Sequence, residues 1–226
     1  MGFAWSPMDR RYTLRGSGVP GNTGKVITLD DGGVKNGGLV SMEMVLTYSL
    51  FFGPMLETRF GGMFRRSILD QLPLYEEIDA RGGLVVDLGC GNGWYLRALA
   101  SRFPQLRGLG LDGMPVNIQG AQDLARSQGV SDRLEFRLGD LHDLQLDEPV
   151  SAFVMNRALH HVCERREALL QALAARLEPG GSVVIWEPRW PDERAALTAP
   201  PLRAMAWQNL AEHVQGNRFL RHAEIE

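Results

Sequence analysis

The turn Asp87-Leu88-Gly89-Cys90-Gly91-Asn92-Gly93 holds the residues of this chain whose types and spacing could do chemistry. An apolar run, Leu84 to Leu88, leads into it, and a helix start follows, in the segment GGLVVDLGCGNGWYLRALA. Glycines in a strand-to-helix turn let the backbone come close to a ligand. The dinucleotide fingerprint is G-x-G-x-x-G, with a pyrophosphate on the helix N-terminus. Here the third glycine comes one residue early, and a carboxylate, Asp87, stands two positions before the first. A carboxylate repels a pyrophosphate and attracts an ammonium. The spacing therefore points to a ligand with a cationic or zwitterionic end rather than a diphosphate.

The elements that must position this turn follow from periodicity. After Pro73 the chain alternates strand and helix: a strand Leu84 to Leu88, a helix Gly93 to Ser101, and a strand LRGLGLD ending at Asp112. A helix Pro115 to Gln128 opens on proline, as first helical turns allow. LEFRL and VSAFVMN read as strands three and four. ERREALLQALAARL reads as an amphipathic helix stopped by EPGG, and SVVIWEP as strand five. This alternation predicts an α/β fold, a doubly wound, mostly parallel sheet with right-handed crossovers. In such sheets ligands bind beyond the carboxyl ends of the strands, where the strand order reverses.

The stretches on either side are different. Residues up to about 38 are dense in Gly, Asn and Asp, so turns are expected, with one short strand at Val26 to Leu29. From Leu39 apolar residues recur at helical spacing, with breaks expected at Gly53-Pro54 and Gly61-Gly62, giving two or three short helices. We divide the chain into a glycine-rich segment and helical cover, 1–71, and a ligand-binding domain, 72–226. The C-terminal APPLRAMAWQNLAEHVQGNRFLRHAEIE reads as a helix, a turn and another helix start.

Bulk composition narrows the function classes. The 226 residues are 44% hydrophobic and 23% charged, which is ordinary for a globular domain. A net charge of -3 argues against a nucleic-acid or anionic-membrane surface. Cys90 and Cys163 make no metal or disulfide pattern, so no metal is expected, and free thiols fit a reducing, cytoplasmic compartment. No run is long enough for a membrane span and no signal-peptide core is present, so a soluble protein is expected. GVPGNTGKV departs from a phosphate loop in its glycine spacing and in Val26 where Ser or Thr belongs.

The motifs VVDLGCGNGWYLRALA, GLGLDGM, FRLGDLHDL, AFVMNRALHHV and LEPGGSVVIWEP, in this order, resemble those of the class I S-adenosylmethionine-dependent methyltransferases. The resemblance covers about residues 72 to 190. It implies S-adenosylmethionine as cofactor, with Asp87, Gly89, Cys90, Gly91 and Gly93 around its amino-acid end. It implies Asp112, followed by Gly113, on the ribose hydroxyls, Asp140 with Leu141 at the adenine, and Asn156 lining the methionine end. Asp112 lies 19 residues beyond Gly93, in line with the logic of ribose recognition. It also implies an antiparallel strand pair after the final helix, which cannot be written for this chain.

Each assignment has a plainer competitor. Asp87 could simply end a strand, Asp112 could form a turn before Gly113, and GD at Asp140 is an ordinary turn with Asp143 close by. Asn156 could cap its loop. Cys90 reads as a small packing residue. His160, His161, Glu187 and His213 are candidate general bases, although LHH accompanies varied substrates in the resembled family and so suggests a structural role. Tyr48, Phe51, Phe52, Phe60, Trp186, Trp190 and Trp207 are core by default. Some could cover the cofactor, since an aromatic face attracts a cationic sulfur.

The expected activity is methyl transfer to a small-molecule acceptor by in-line displacement, which asks the protein mainly to align groups and exclude water. One alternative uses the same cofactor without moving its methyl group, releasing methylthioadenosine by aminocarboxypropyl transfer or by cyclisation to azetidine-2-carboxylate. Another is a non-catalytic binding subunit of the same fold. A homodimer is compatible with the sequence.

Overall fold

The computed structural model describes residues 4–5, 12–16, 25–29, 53–214 and 217–225. The first part of the helical run, with Tyr48, Phe51 and Phe52, lies outside the described residues. The chain divides into two compact units, residues 48–187 and residues 1–47 with 188–226.

The larger unit is built on five parallel strands: β4 (Leu84–Leu88), β5 (Arg107–Asp112), β6 (Leu134–Leu138), β7 (Val150–Asn156) and β8 (Leu177–Trp186). Their spatial order is β6-β5-β4-β7-β8, and every neighbouring pair is parallel. The order reverses at β4, which pairs with β5 on one side and β7 on the other. Asp87 of β4 stands in register with Gly110 and Val154. All five residues of β4 are buried, as a strand covered on both faces requires, and its apolar run supplies that burial.

Helices α2 (Leu74–Ala80), α3 (Trp94–Arg102), α4 (Pro115–Ser127) and α5 (Arg166–Ala174) join and flank these strands. The strand and helix expectations hold to within a residue or two at four strands and two helices. Around α5 they need correction. Cys163–Arg165 is a separate 3-10 turn, and the chain has left the helix by Ala175. β8 then begins before Pro179, with Leu177 opposite Val150, and a register shift carries the chain past Gly180-Gly181 to Ser182 opposite Ala152. The Pro-Gly-Gly stretch thus forms an irregularity within a strand rather than a boundary.

Ahead of the sheet, helix α1 (Gly53–Leu56) runs on through wide π-helical turns at Glu57–Gly61 and Phe64–Ile68. The break expected at Gly61-Gly62 does not occur. Gly62 keeps right-handed helical angles, φ −65 and ψ −43. Glycine permits other conformations but does not impose them, and the aromatics on either side hold the turn down. Phe64 is fully buried, its ring centroid 4.4 Å from Tyr95, 5.8 Å from Trp94 and 6.3 Å from Trp186. Tyr75 and Tyr95 share a buried hydrogen bond of 2.7 Å between their hydroxyls.

In the smaller unit, β1 (Ala4–Trp5), β2 (Tyr12–Gly16) and β3 (Lys25–Leu29) form an antiparallel sheet in that order. One strand was expected here; the β-branched and aromatic residues of YTLRG and KVITL supply two strands that pair along their whole length. The same unit contains β9 (Arg189–Trp190) paired parallel with β10 (Leu220–Arg221), and helices α6 (Pro200–Val214) and α7 (His222–Ile225). No helix among the described residues is long and apolar enough to cross a membrane.

Candidate functional site

The reversal of strand order at β4 brings Asp87, the glycine turn and the end of β5 together. Gly89 N–H and Cys90 N–H both donate to the Leu111 carbonyl, at 2.8 and 3.0 Å, which folds the turn across the end of β5. Asp112, the last residue of β5, then holds the turn from the other side. Its Oδ2 accepts from Gly91 N–H at 2.8 Å, and its Oδ1 accepts from Met114 N–H at 2.9 Å and Asn117 Nδ2 at 3.1 Å. One carboxylate therefore links the glycine turn, the loop at Gly113 and the first turn of α4.

Gly93, at φ 73, caps α3. A Cβ there would lie 2.5 Å from Phe136 Cε1, so both the left-handed backbone and the space demand glycine. At Gly91 and Gly113 a Cβ would meet nothing within 4 Å. The turn is packed from below at Gly93 and open at Gly91, an arrangement that leaves its backbone approachable.

Asp87 is 1% exposed, and its Oδ1 has no hydrogen-bond partner. Burial, reinforced by the Asp112 charge, pushes its pKa up to about 8. Burial also raises the pKa of Asp112, against the opposing effect of its three N–H donors. Two carboxyl groups meet at one strand switch point, one of them with an unpartnered oxygen, and a cation brought there would favour their ionised forms. Cys90 is buried, and its thiol is held well above its usual pKa by that burial and by both carboxylates. Such a setting is that of a packing residue rather than of an activated thiol.

The other expected positions fall in two groups. Asp140 is exposed after β6, where its Oδ1 accepts from His142 N–H at 2.9 Å, and Leu141 is half-buried beside it. Asn156 ends β7, half-buried. His160 and Glu187 are each 1% exposed, and they pair through His160 Nδ1 and Glu187 Oε1. The second oxygen of Glu187 accepts from Leu159 N–H at 3.1 Å. Glu187 thereby clamps the loop after β7. Ala158 of that loop occupies the space above Gly89, where a Cβ would come within 2.7 Å of the Ala158 Cβ. His161 is half-buried, its ring centroid 4.2 Å from that of His160. His213 is exposed on α6 in the other unit.

Several residues at the site gave no motif in the sequence. Asn92 Nδ2 donates to Glu57 Oε2 at 3.1 Å, and Arg97 Nη2 donates to the same oxygen at 2.6 Å. Arg97 is 2% exposed on α3, the only charge inside the apolar stretch WYLRALA, and that incongruity was the available signal. Glu57 offered none. Phe60 packs edge-on against Trp186 at 5.8 Å, and the Arg157 guanidinium lies 5.5 Å from the centre of the Phe60 ring. The cover and the sheet end thus meet over the glycine turn through one ion pair and an aromatic cluster.

Comparison with known proteins agrees with this geometry. Residues 85–181 match a family described as a methyltransferase domain. A trans-aconitate 2-methyltransferase of Streptomyces coelicolor is 30% identical over 135 residues, covering 60% of this chain and 44% of that protein. A carboxy-S-adenosyl-L-methionine synthase of Chromohalobacter salexigens is 34% identical over 138 residues, covering 57% of this chain and 51% of that protein. The crystal structure of a family 2 O-methyltransferase of Planctomyces limnophilus, in complex with apigenin, superposes with a TM-score of 0.51 at 26% identity. It covers 63% of this chain and 42% of that one. The chain thus spans about half the length, or less, of these relatives. Residues 85–181 thus match a methyltransferase domain, and the ordered motifs and five-stranded parallel sheet around them are similar to those of S-adenosylmethionine-dependent methyltransferases.

Proposed function

We propose that this chain transfers the methyl group of S-adenosylmethionine to a small-molecule acceptor. The observation that carries the reading is Asp87, a buried carboxylate with an unpartnered oxygen at the head of the glycine turn. A ligand ammonium placed there restores its ionised form and satisfies that oxygen. Asp112 has used three of its roughly four acceptor sites on N–H donors, which leaves capacity for a ribose hydroxyl. The open space at Gly91 and Gly113 admits a ligand against the backbone. In this reading Asp140 and Leu141 would meet the adenine, and Asn156 the methionine end.

When bound, the cofactor supplies a methyl group on a cationic sulfur. The chain's own residues then have three tasks. Asp87 and Asp112 fix the two polar ends of the cofactor. The aromatic cluster Phe60, Phe64, Trp94 and Trp186 excludes water from the carboxyl ends of β4 and β7. The Glu187 clamp holds the loop Arg157–His161 against Gly89, so that an acceptor meets a fixed surface. With His160 Nδ1 committed to Glu187, this pair acts as a positioning device.

A second reading makes the cofactor itself the substrate; the relative named carboxy-S-adenosyl-L-methionine synthase is a parallel in that its named product is a modified cofactor. The test is to incubate the protein with S-adenosylmethionine, alone and with a cell extract, and to identify the nucleoside product by mass spectrometry. S-adenosylhomocysteine formed only with extract supports methyl transfer. Methylthioadenosine formed without extract, above spontaneous breakdown, supports the release reactions. Binding with no turnover in either case would leave a binding subunit.

A further inference from the structure

Glu57 belongs to the helical cover, yet its bonds go to the glycine turn and the helix behind it. Glu57 Oε2 accepts from Asn92 Nδ2 at 3.1 Å and from Arg97 Nη2 at 2.6 Å. Glu57 also opens the first wide π-helical turn after α1, Glu57–Gly61. Such turns are rare in helices, and many of them sit at functional sites. The two partners of the shared oxygen need different things from it. Arg97 is buried on α3, and Glu57 is the only carboxylate that pairs with it among the described residues. A buried guanidinium needs the opposite charge. Asn92 is uncharged and needs only an acceptor.

Asn92 stands in the turn between Gly91 and Gly93, both in the left-handed region at φ 54° and 73°. Glycine permits that path and does not fix it. The buried Asn92 side chain fixes it from both ends. Its Oδ1 accepts from Trp94 N–H at 3.3 Å, at the start of α3, and its Nδ2 is held by Glu57. Among the described residues, the N–H groups of Gly89, Cys90, Gly91 and Gly93 are all bonded within the protein, to Leu111, Asp112 and Cys90. The N–H of Asn92 is the one donor of the turn that makes no such bond. We propose that Glu57 is a positioning residue for cofactor binding, acting through the Asn92 side chain to hold the peptide groups of the turn where the cofactor meets them. This rests on the reading of the turn as part of an S-adenosylmethionine site. One oxygen then serves two ends: its charge stabilises the fold through Arg97, and its capacity to accept a hydrogen bond orders the turn through Asn92. The two effects separate on substitution.

The test measures S-adenosylhomocysteine affinity by calorimetry, beside the thermal midpoint, on the full chain and its variants. Glutamine keeps an acceptor oxygen and loses the charge. Glu57→Gln should therefore lower the thermal midpoint while affinity stays within about three-fold of wild type. Glu57→Ala should weaken binding by about ten-fold, the worth of roughly one hydrogen bond. Asn92→Ala should weaken it at least as much, and Glu57→Ala/Asn92→Ala should bind no more weakly than Asn92→Ala alone, because the two residues act as one unit. If Glu57→Ala, which leaves Arg97 buried and unpaired, does not fold, Glu57→Ala/Arg97→Met carries the same affinity prediction with both charges removed. Wild-type affinity in Glu57→Ala, a loss in Glu57→Gln as large as in Glu57→Ala, or additive losses in the double variant would overturn the inference and make Glu57 a staple of the cover alone. Failure of the wild type to bind S-adenosylhomocysteine would overturn the cofactor reading with it. Normal wild-type binding with unmoved variants sinks only the role of Glu57.

Discussion

The two sides of the cleft at the end of β4 are built by different means. On the β5 side, Asp112 gathers three N–H donors from residues within 21 positions of itself, and the glycine turn closes on Leu111 through backbone bonds alone. On the β7 side, order comes from side chains brought from far along the chain: Glu187 to His160 and Trp186 to Phe60. The first side is a local βαβ device, suited to holding one ligand against the backbone. The second is assembled by tertiary packing, so it can be rebuilt for a different acceptor without disturbing the first. If that division is real, changes on the β7 side should alter stability and acceptor choice while sparing cofactor affinity, and changes on the β5 side should do the reverse.

The largest effect is expected from Glu187→Ala. It leaves the buried His160 ring without its carboxylate and the Leu159 N–H without its acceptor. Breaking a buried pair by removing one partner costs roughly 3–5 kcal/mol, readable as a lower urea midpoint at unchanged m-value. S-adenosylhomocysteine affinity of the folded variant should stay within about three-fold. A ten-fold loss would show that the clamp transmits through Ala158 to Gly89 and that the two sides are not independent.

Asp112→Ala is the converse change. It should weaken S-adenosylhomocysteine binding by about 100-fold, or ~2.7 kcal/mol, because the ribose acceptor and the support of Gly91 are lost together. Far-UV circular dichroism should be unchanged. An affinity within a few-fold of wild type would remove Asp112 from the ribose. Within the turn itself, Gly93→Ala should destabilise the fold by about 2–3 kcal/mol, since its Cβ would strike Phe136 at 2.5 Å in a left-handed backbone. Gly91→Ala faces open space and carries only the backbone penalty of about 1 kcal/mol, so the difference between the two variants isolates the steric part.

The same asymmetry decided what could be read from sequence. The strand Leu84–Leu88, the turn, and Asp112 at the end of β5 were legible because their signals are short-range: an apolar run, glycine spacing, an acid at a strand end. The helical cover was legible as helical but not in its details, because Gly61-Gly62 can sit in a helix once Phe60 and Phe64 are packed. The pairs Glu57–Arg97 and His160–Glu187 lie 40 and 27 residues apart, and no local pattern joins them.

Asp87 offers the finest test, because it asks whether the cofactor side is tuned as well as built. A carboxyl whose folded pKa is about 8 and whose unfolded pKa is near 3.9 keeps a proton on folding between those values. The unfolded chain then binds fewer protons than the folded one, so the stability of the empty protein should fall as pH rises from about 4 through about 8. Asp87→Asn should remove that part of the slope and be the more stable form at pH 8. Cofactor binding should run the other way. The ammonium needs the ionised carboxylate, so affinity for S-adenosylhomocysteine should rise with pH, close to ten-fold per unit below pH 7, and level off above about 8. Binding at pH 7 should also release close to one proton, measurable by calorimetry in buffers of different ionisation enthalpy. A flat affinity profile in the wild type, or an equal slope in Asp87→Asn, would mean that Asp87 does not meet the ammonium. The cofactor's amino-acid end would then be held by the turn's backbone alone.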